Sequence, residues 1–368
     1  MKIAVNARPL LFGKKEGISV YAEHLIRRLV ALRPEADFQL YFDRYKGLEQ
    51  FEFRNADQQV LFPITRHRWL WTWWFDHSLS GAVRRLQPAV FYSPEGHGLK
   101  NTEIPQLVTL HDLAFEHRPE DLPKALAEHY RRRSPLLAHR AAAVLTVSED
   151  CRQDLVARYS LAPEQIHLVP PALPDCFYHT PPAEVHWPDR RPYFLMLGAL
   201  HPRKNPEMAL EAFGRYRERG GKADLVFAGK PFRFYASKFE HLLESHRHRS
   251  SIRVLGWVGE ADKRGWLKGA RALLFPSWFE GFGLPILEAF AMGTPVVASD
   301  RTSLPEVGGD AGLYADPRDV EAWAEHMLML EHARPEGFEA KAGDRLWAYS
   351  WDRSAKTLSD LIDRYARV

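Results

Sequence analysis

The chain has 368 residues, 45% of them hydrophobic and 26% charged, with a formal net charge of +3. That length suits two domains of ordinary size, each burying its own core, in a globular protein. A charge so near balance gives no support to a nucleic-acid partner, and no run of about eighteen apolar residues offers a membrane span.

The first residues enter a strand pattern directly, so neither a signal peptide nor a transmembrane anchor is expected. Cys151 and Cys176 have neither zinc spacing nor disulfide density, which suits a reducing cytoplasm. Lys2 to Asn6 reads as a strand, followed by a loop holding Gly13 and Gly17 and then the amphipathic run SVYAEHLIRRLVALR. The order is strand, glycine loop, helix, without the GxGxxG spacing of a dinucleotide fold. Phe38 to Phe42 and Gln59 to Phe62 read as further strands. The segment RHRWLWTWWFDHSLSGAVRRL then holds four of the eleven tryptophans. Tryptophan interleaved with arginine and histidine fits a membrane-interface segment or an acceptor platform, and fits equally an amphipathic helix packing its rings inward.

Gln106 to Thr109 reads as an apolar strand leading to His111 and Asp112. A polar pair at the carboxyl end of a parallel strand sits where open α/β sheets bind ligands. The next helix, Pro123 to His139, carries Arg131, Arg132 and Arg133 in a row. Consecutive residues fan out over different faces, so one of the three is expected to pack or pair inward. A solvated face and a basic helix resting on an anionic bilayer both fit this pattern. Val144 to Ser148, a helix from Glu149 and the strand Ile166 to Val169 complete a first doubly wound domain, residues 1–173.

Prolines without a hydrophobic period mark 174–192 as an interdomain connection. Tyr193 to Gly198 restarts the strand pattern and opens a second domain, 193–350. Its first turn, LHPRKN, precedes a helix with Asn205 as N-cap and Pro206 as first residue. Arg203 and Lys204 thus stand at a strand's carboxyl end, beside a helix start. A planar guanidinium and a mobile ammonium side by side suit a diphosphate. Strands are expected at Asp224 to Gly229, Ile252 to Val258 and Ala272 to Phe275. From there FEGFGLPILEAFAMGTPVVASD gives a glycine loop, a helix starting near Pro285 and ending at Gly293, and a strand over Thr294 to Ser299. Free amides and a positive dipole end make that helix start suited to an anion. Glu280 and Glu288 frame it as acceptors for sugar hydroxyls, and phosphate beside hydroxyls describes a nucleotide sugar. Ser303 and Glu306 have capping-box spacing, so Glu306 is given no catalytic part.

The spacing of Glu280 and Glu288 in FEGFGLPILEA, with GTPVVASD and SLPEVGGDAG after it, resembles the signature of retaining glycosyltransferases of family 4, group 1, which have the GT-B fold. Within that family the chain looks like bacterial mannosyltransferases of polysaccharide assembly. The resemblance implies two Rossmann-like doubly wound domains facing across a cleft, with the acceptor on the first and the nucleotide sugar on the second. It also implies a terminal helix, 351–368, that crosses back to the first domain. It places Gly17 near the donor diphosphate, His111 against the donor sugar, and Arg203 and Lys204 on the diphosphate. Glu280 would take sugar hydroxyls and Glu288 the ribose diol. Amides around Phe282, Gly283 and Leu284 would meet the sugar or β-phosphate. His111, Arg203, Lys204 and Glu280 are therefore the expected catalytic set. No Asp-x-Asp motif is present to hold a divalent ion, so neither metal nor other cofactor is expected. GDP-mannose is the favoured donor, with a UDP-hexose as the alternative, and the acceptor is a glycan or a lipid-linked sugar. A cytoplasmic location, with peripheral contact to the inner face of the membrane, follows from such an acceptor. A phosphorylase, an epimerase or a catalytically silent binding homologue could share the fold. The intact set of five polar residues, Glu288 included, argues against the last.

Overall fold

The structure is a computed structural model that describes residues 1–11, 17–185 and 191–366, without the Arg68 side chain. The expected Gly13 lies outside the described residues. The chain folds as two compact units, Met1–Pro171 with Ser350–Val368, and Ala172–Tyr349.

The strands of the first unit are β1 (Lys2–Asn6), β2 (Asp37–Phe42), β3 (Ala56–Val60), β4 (Val90–Ser93), β5 (Gln106–Thr109), β6 (Ala143–Thr146) and β7 (Ile166–Leu168). They form a parallel sheet in the order β3-β2-β1-β4-β5-β6-β7. Helices cover it: α1 (Gly17–Leu32), α2 (Arg68–Trp73), α3 (Ser80–Leu86), α4 (Ala114–His117), α5 (Lys124–Arg140) and α6 (Glu149–Tyr159). Every residue of β4, β5 and β6 is buried, as a parallel sheet covered on both faces requires. Helix α1 buries Tyr21, Ala22, Leu25, Ile26, Leu29 and Val30, one stripe at helical spacing.

Three expectations shift here. β3 begins at Ala56 rather than Gln59, and Phe62 is exposed. The central strand β4 was not foreseen, although Val90–Ser93 is an apolar run bounded by Pro88 and Pro94. The tryptophan segment divides its roles. Trp74 and Phe75 are wholly buried, Trp71 packs on His97 at 3.9 Å between centroids, and Trp69 and Trp73 are exposed.

The second unit repeats the plan with β8 (Tyr193–Leu197), β9 (Asp224–Ala228), β10 (Ile252–Val254), β11 (Ala272–Phe275), β12 (Val296–Ser299) and β13 (Leu313–Ala315). The parallel order is β10-β9-β8-β11-β12-β13. Its helices are α7 (Cys176–His179), α8 (Pro206–Glu218), α9 (Ala236–Glu244), α10 (Glu260–Gly269), α11 (Leu284–Ala291), α12 (Leu304–Gly308), α13 (Val320–His332) and α14 (Phe338–Ala348). The core joins Phe194, Met196, Phe213, Tyr216, Phe227, Leu274 and Trp323 across the sheet and two helices.

Residues 174–185, expected as part of a connection, pack on α10. Arg264 donates to Cys176 O at 2.7 Å, and Ala183 N donates to Ala261 O at 3.1 Å. Gly265 permits this, since a Cβ there would stand 2.3 Å from Ala183 O. The last helix, α15 (Trp351–Tyr365), lies against α1 in the first unit. Trp351 stacks on His24 at 4.7 Å, and Arg28 pairs with Asp352 at 2.7 Å.

Candidate active site

In each sheet the strand order reverses beside the first strand, between β1 and β4 and between β8 and β11. Loops leaving the carboxyl ends of such a strand pair diverge to opposite faces and open a crevice for a ligand. The loop after β8 carries Arg203 and Lys204, and the loop after β11 carries Glu280.

The structure brings these three together. Lys204 Nζ lies 2.9 Å from Glu280 Oε1, and an Arg203 terminal nitrogen lies 3.2 Å from Oε2. Arg203 also donates to Phe279 O, and Arg203 O accepts from Trp278 N at 2.8 Å, so the two loops are tied twice. The turn is fixed from its other side by Arg203 N donating to His201 Nδ1 at 3.1 Å. Asn205 takes the left-handed conformation at φ 56° and caps α8, its Oδ1 accepting from Met208 N. Burial pushes the Glu280 carboxyl up, but the charges of Arg203 and Lys204 outweigh it and hold the group at about 2. Glu280 is therefore a carboxylate at any physiological pH, set between two basic side chains.

Gly283 turns the chain into α11 at φ 99°, a conformation that costs little only for glycine. The helix follows with Leu284 and Pro285 first; Pro285 has no amide hydrogen, and Ile286 N donates to Gly283 O at 2.9 Å. Ser303, read in sequence as a capping-box residue, makes no side-chain cap. Its hydroxyl instead faces Glu280 O at 2.9 Å and Phe282 O at 3.0 Å, and Glu280 N donates to Thr302 Oγ1. Thr302 and Ser303 thus hold the loop in shape, which explains the motif better than helix capping does.

Glu288, one turn into α11, is buried and not alone. Lys263 of α10 reaches its Oε1 at 2.6 Å. Sequence reasoning did not find Lys263; the signal would have been the first of two lysines in the otherwise routine run EADKRGWLKG.

Gly17 and His111 belong to the first unit. Gly17 opens α1, and a Cβ there would meet nothing within 4 Å. His111 donates from Nε2 to Pro94 O at 2.8 Å and packs edge-on against Tyr21 at 4.7 Å. Since the carbonyl can only accept, Nδ1 carries the lone pair in the neutral ring. Burial lowers the His111 pKa, so the ring is neutral at physiological pH. Asp112 serves its own loop, accepting from Ala114 N at 2.9 Å.

A buried group that sequence reasoning missed stands at the ends of β1 and β4. Arg8 Nε donates to Glu95 Oε1 at 3.0 Å, and Asn6 Nδ2 donates to the same oxygen at 2.8 Å. Arg8 also reaches Thr65 Oγ1 at 3.1 Å and lies over the Trp71 ring. Without β4 in view, Glu95 had no place in the sheet and could not be paired with Arg8.

Comparison with known proteins decides the class. A glycosyltransferase family 4 model matches residues 15–175, and a model of glycosyl transferases group 1 matches residues 191–332. Together they span most of the chain. The chain belongs to this glycosyltransferase family. The enzyme is similar over 349 residues, at 28% identity, to O-antigen chain mannosyltransferase B of Escherichia coli, covering 89% of this chain and 90% of that protein. It is 24% identical over 228 residues to O-antigen chain mannosyltransferase RfbU of Salmonella typhimurium, covering 61% of each. A sucrose-phosphate synthase structure from Thermosynechococcus elongatus superposes with a TM-score of 0.78 at 18% identity, covering 99% of this chain and 98% of that one. That similarity fixes the fold of the transferase as GT-B, two units each built on a parallel α/β sheet. Among the described residues no helix is long and apolar enough to cross a membrane.

Proposed function

We propose that this glycosyltransferase moves a hexose, mannose in the first place, from a nucleotide sugar to a glycan or lipid-linked acceptor during surface-polysaccharide assembly. The observation that carries the reading is the cluster of Arg203, Lys204 and Glu280 at the β8/β11 reversal. Two cations held on Glu280, in the loop that leads into α11, suit a leaving diphosphate, and the charged Glu280 suits sugar hydroxyls. The mannosyltransferases among its relatives favour GDP-mannose over a UDP-hexose.

In the proposed reaction the bond from the anomeric carbon to the β-phosphate oxygen breaks, and Arg203 and Lys204 take up the charge that develops on that phosphate. The acceptor hydroxyl oxygen bonds to the same face of the sugar, with retention, and its proton passes to the leaving phosphate. Glu280 orients the sugar and favours positive charge at its ring, while neutral His111 offers Nδ1 as an acceptor to a sugar hydroxyl. Arg203, Lys204 and the positive end of α11 at Leu284–Pro285 fill the role that a divalent ion would otherwise have on the diphosphate, so no metal is required. An exposed Trp69 and Trp73, with basic α5 in the same unit, favour peripheral contact with an anionic membrane where a lipid-linked acceptor would lie.

Calorimetric titration with GDP, UDP and ADP and their sugar conjugates, with EDTA present, tests this. Micromolar binding of one nucleotide and its sugar conjugate supports the reading and names the donor. Binding restored only by Mg²⁺ removes the metal-free diphosphate site, and no binding at all moves the protein to a silent homologue. Retention is tested separately by the anomeric configuration of the product in an NMR spectrum.

A further inference from the structure

Among the described residues the Glu288 carboxylate is held at one oxygen. Its Oε1 is taken by Lys263 at 2.6 Å, and the same ammonium lies 2.5 Å from Glu260 Oε1. Lys263 is itself mostly buried and lies over the Phe177 ring of α7, 5.4 Å from the ring's centre. An ammonium donates three hydrogens. Two go to carboxylates here, and the aromatic face takes part of the remaining charge. Lys263 therefore has a defined position rather than a solvated one, and it fixes which oxygen of Glu288 is engaged.

From this geometry we infer that Lys263 is a positioning residue of the donor site: it locks Glu288 so that Oε2 alone is presented to the two ribose hydroxyls of the nucleotide. The inference rests on the proposed reading of Glu288 as the acceptor for the ribose diol. Vicinal hydroxyls both donate well to a carboxylate only if it is ionised and fixed in rotation.

The charges around Glu288 decide its ionisation. Burial pushes its carboxyl above the ordinary value, and Lys263 counters part of that. Glu260 on α10 acts with burial, while Lys204 from the neighbouring loop acts with Lys263. The other groups packed nearby are the Phe177 ring, Cys176, whose Sγ lies 3.8 Å from Glu260, and Arg264, which faces the Cys176 carbonyl instead. Lys263 is the cation in direct contact. Without it a buried carboxyl next to Glu260 takes up a proton at a higher pH than before.

The test compares affinity for GDP with affinity for 2′,3′-dideoxy-GDP, or the uridine pair where UDP binds more tightly, in the full-length protein. The ratio reads the diol alone. Wild type should prefer the natural nucleotide by about tenfold or more, the range for hydrogen bonds to a charged group, from about pH 6 to about pH 8. Lys263→Met should lose most of that preference at the acid end and recover part of it at the alkaline end, where Glu288 is ionised again. Lys263→Arg should keep it throughout. Lys263→Gln, nearer in polarity, repeats the Met experiment should that variant fail to fold, and thermal melting identifies folded variants. A folded Met or Gln variant that keeps the full ratio at every pH, while Glu288→Gln loses it, overturns the role of Lys263. Glu288→Gln keeping the ratio overturns the inference through Glu288 itself and leaves the diphosphate cluster untouched. Wild type binding neither GDP nor UDP removes the proposed function, and this inference with it.

Discussion

Glu280 bridges Lys204 and Arg203, one oxygen to each at 2.9 and 3.2 Å, so a single carboxylate engages both cations proposed for the diphosphate. An incoming diphosphate and this carboxylate therefore compete for the same positive charge. The competition separates binding from transfer. Glu280→Gln should lower transfer by at least about a hundredfold, the scale for losing a preorganised charged group at a reacting centre. Its affinity for the nucleoside diphosphate should be equal or tighter, because the cations no longer face an anion of the protein's own. Lys204→Ala should weaken both. Isothermal titration beside a radiolabelled transfer assay reads the two effects, and transfer at the wild-type rate by Glu280→Gln would remove Glu280 from the chemistry.

The same cluster sets an acid limit. The Glu280 carboxyl is displaced downward, from an ordinary 4.5 to about 2. A carboxyl lowered on folding contributes stability that is complete above its unfolded value and disappears as the pH falls through the folded one. The window therefore runs from about pH 4.5 down to about pH 2, with a contribution on the order of 3 kcal/mol at its upper edge. Across that window wild type should lose stability relative to Glu280→Gln, and above it the difference should be constant. Urea denaturation at a series of acid pH values measures this. Parallel curves for the two proteins would show that the ion cluster has no such linkage.

Ser303 gives a prediction on which helix capping and loop support disagree. Its hydroxyl lies against the carbonyls of Glu280 and Phe282, while α12 has no side-chain cap. Ser303→Ala should cost about 1 kcal/mol of stability, the usual worth of one such bond. It should also lower the turnover rate, because the carbonyl at Glu280 loses its anchor. Glu306→Gln should do neither. Equal loss from both substitutions would restore the capping box. Thermal melting and steady-state kinetics of the two variants decide between them.

Much of the second unit was legible because its signals are local. A proline at a helix start, a glycine at its end and two basic residues after an apolar strand each act within a few residues. The ends of β11 and the N-cap at Asn205 follow from them directly. The missed features depend on partners far away in sequence. Lys263 meets Glu288 across 25 positions, and Arg8 meets Glu95 across 87. A lysine on an amphipathic helix has the same local pattern whether it faces water or a buried carboxylate. The strand β4 was hidden for another reason: a four-residue strand within the five residues between two prolines carries too little periodicity to separate strand from loop. With it went the position of Glu95, and with Glu95 the buried ion pair at the first sheet's reversal.

The three consecutive arginines of α5 resolve into three surroundings. Arg131 Nε pairs with Glu116 at 3.0 Å, and Arg133 binds Asp76 through both terminal nitrogens. Arg132 is exposed and has no ion-pair or hydrogen-bond partner among the described residues. Two of the three charges are thus neutralised locally, and one remains for an external anion. If α5 meets an anionic bilayer, Arg132→Glu should weaken binding to phosphatidylglycerol vesicles about fivefold or more, since one basic residue near such a surface is worth roughly 1 kcal/mol. Arg131→Ala should change vesicle binding little. Arg133→Ala should instead lower the melting temperature, because the Asp76 side chain is mostly buried and, among the described residues, keeps only Lys100 as an ion-pair partner, at 3.9 Å. Sedimentation with vesicles, repeated with Trp69→Ser and Trp73→Ser, completes the test. Unchanged sedimentation of Arg132→Glu and of both tryptophan variants would leave α5 and α2 as ordinary solvated surface, and the acceptor would then have to reach the enzyme without a membrane.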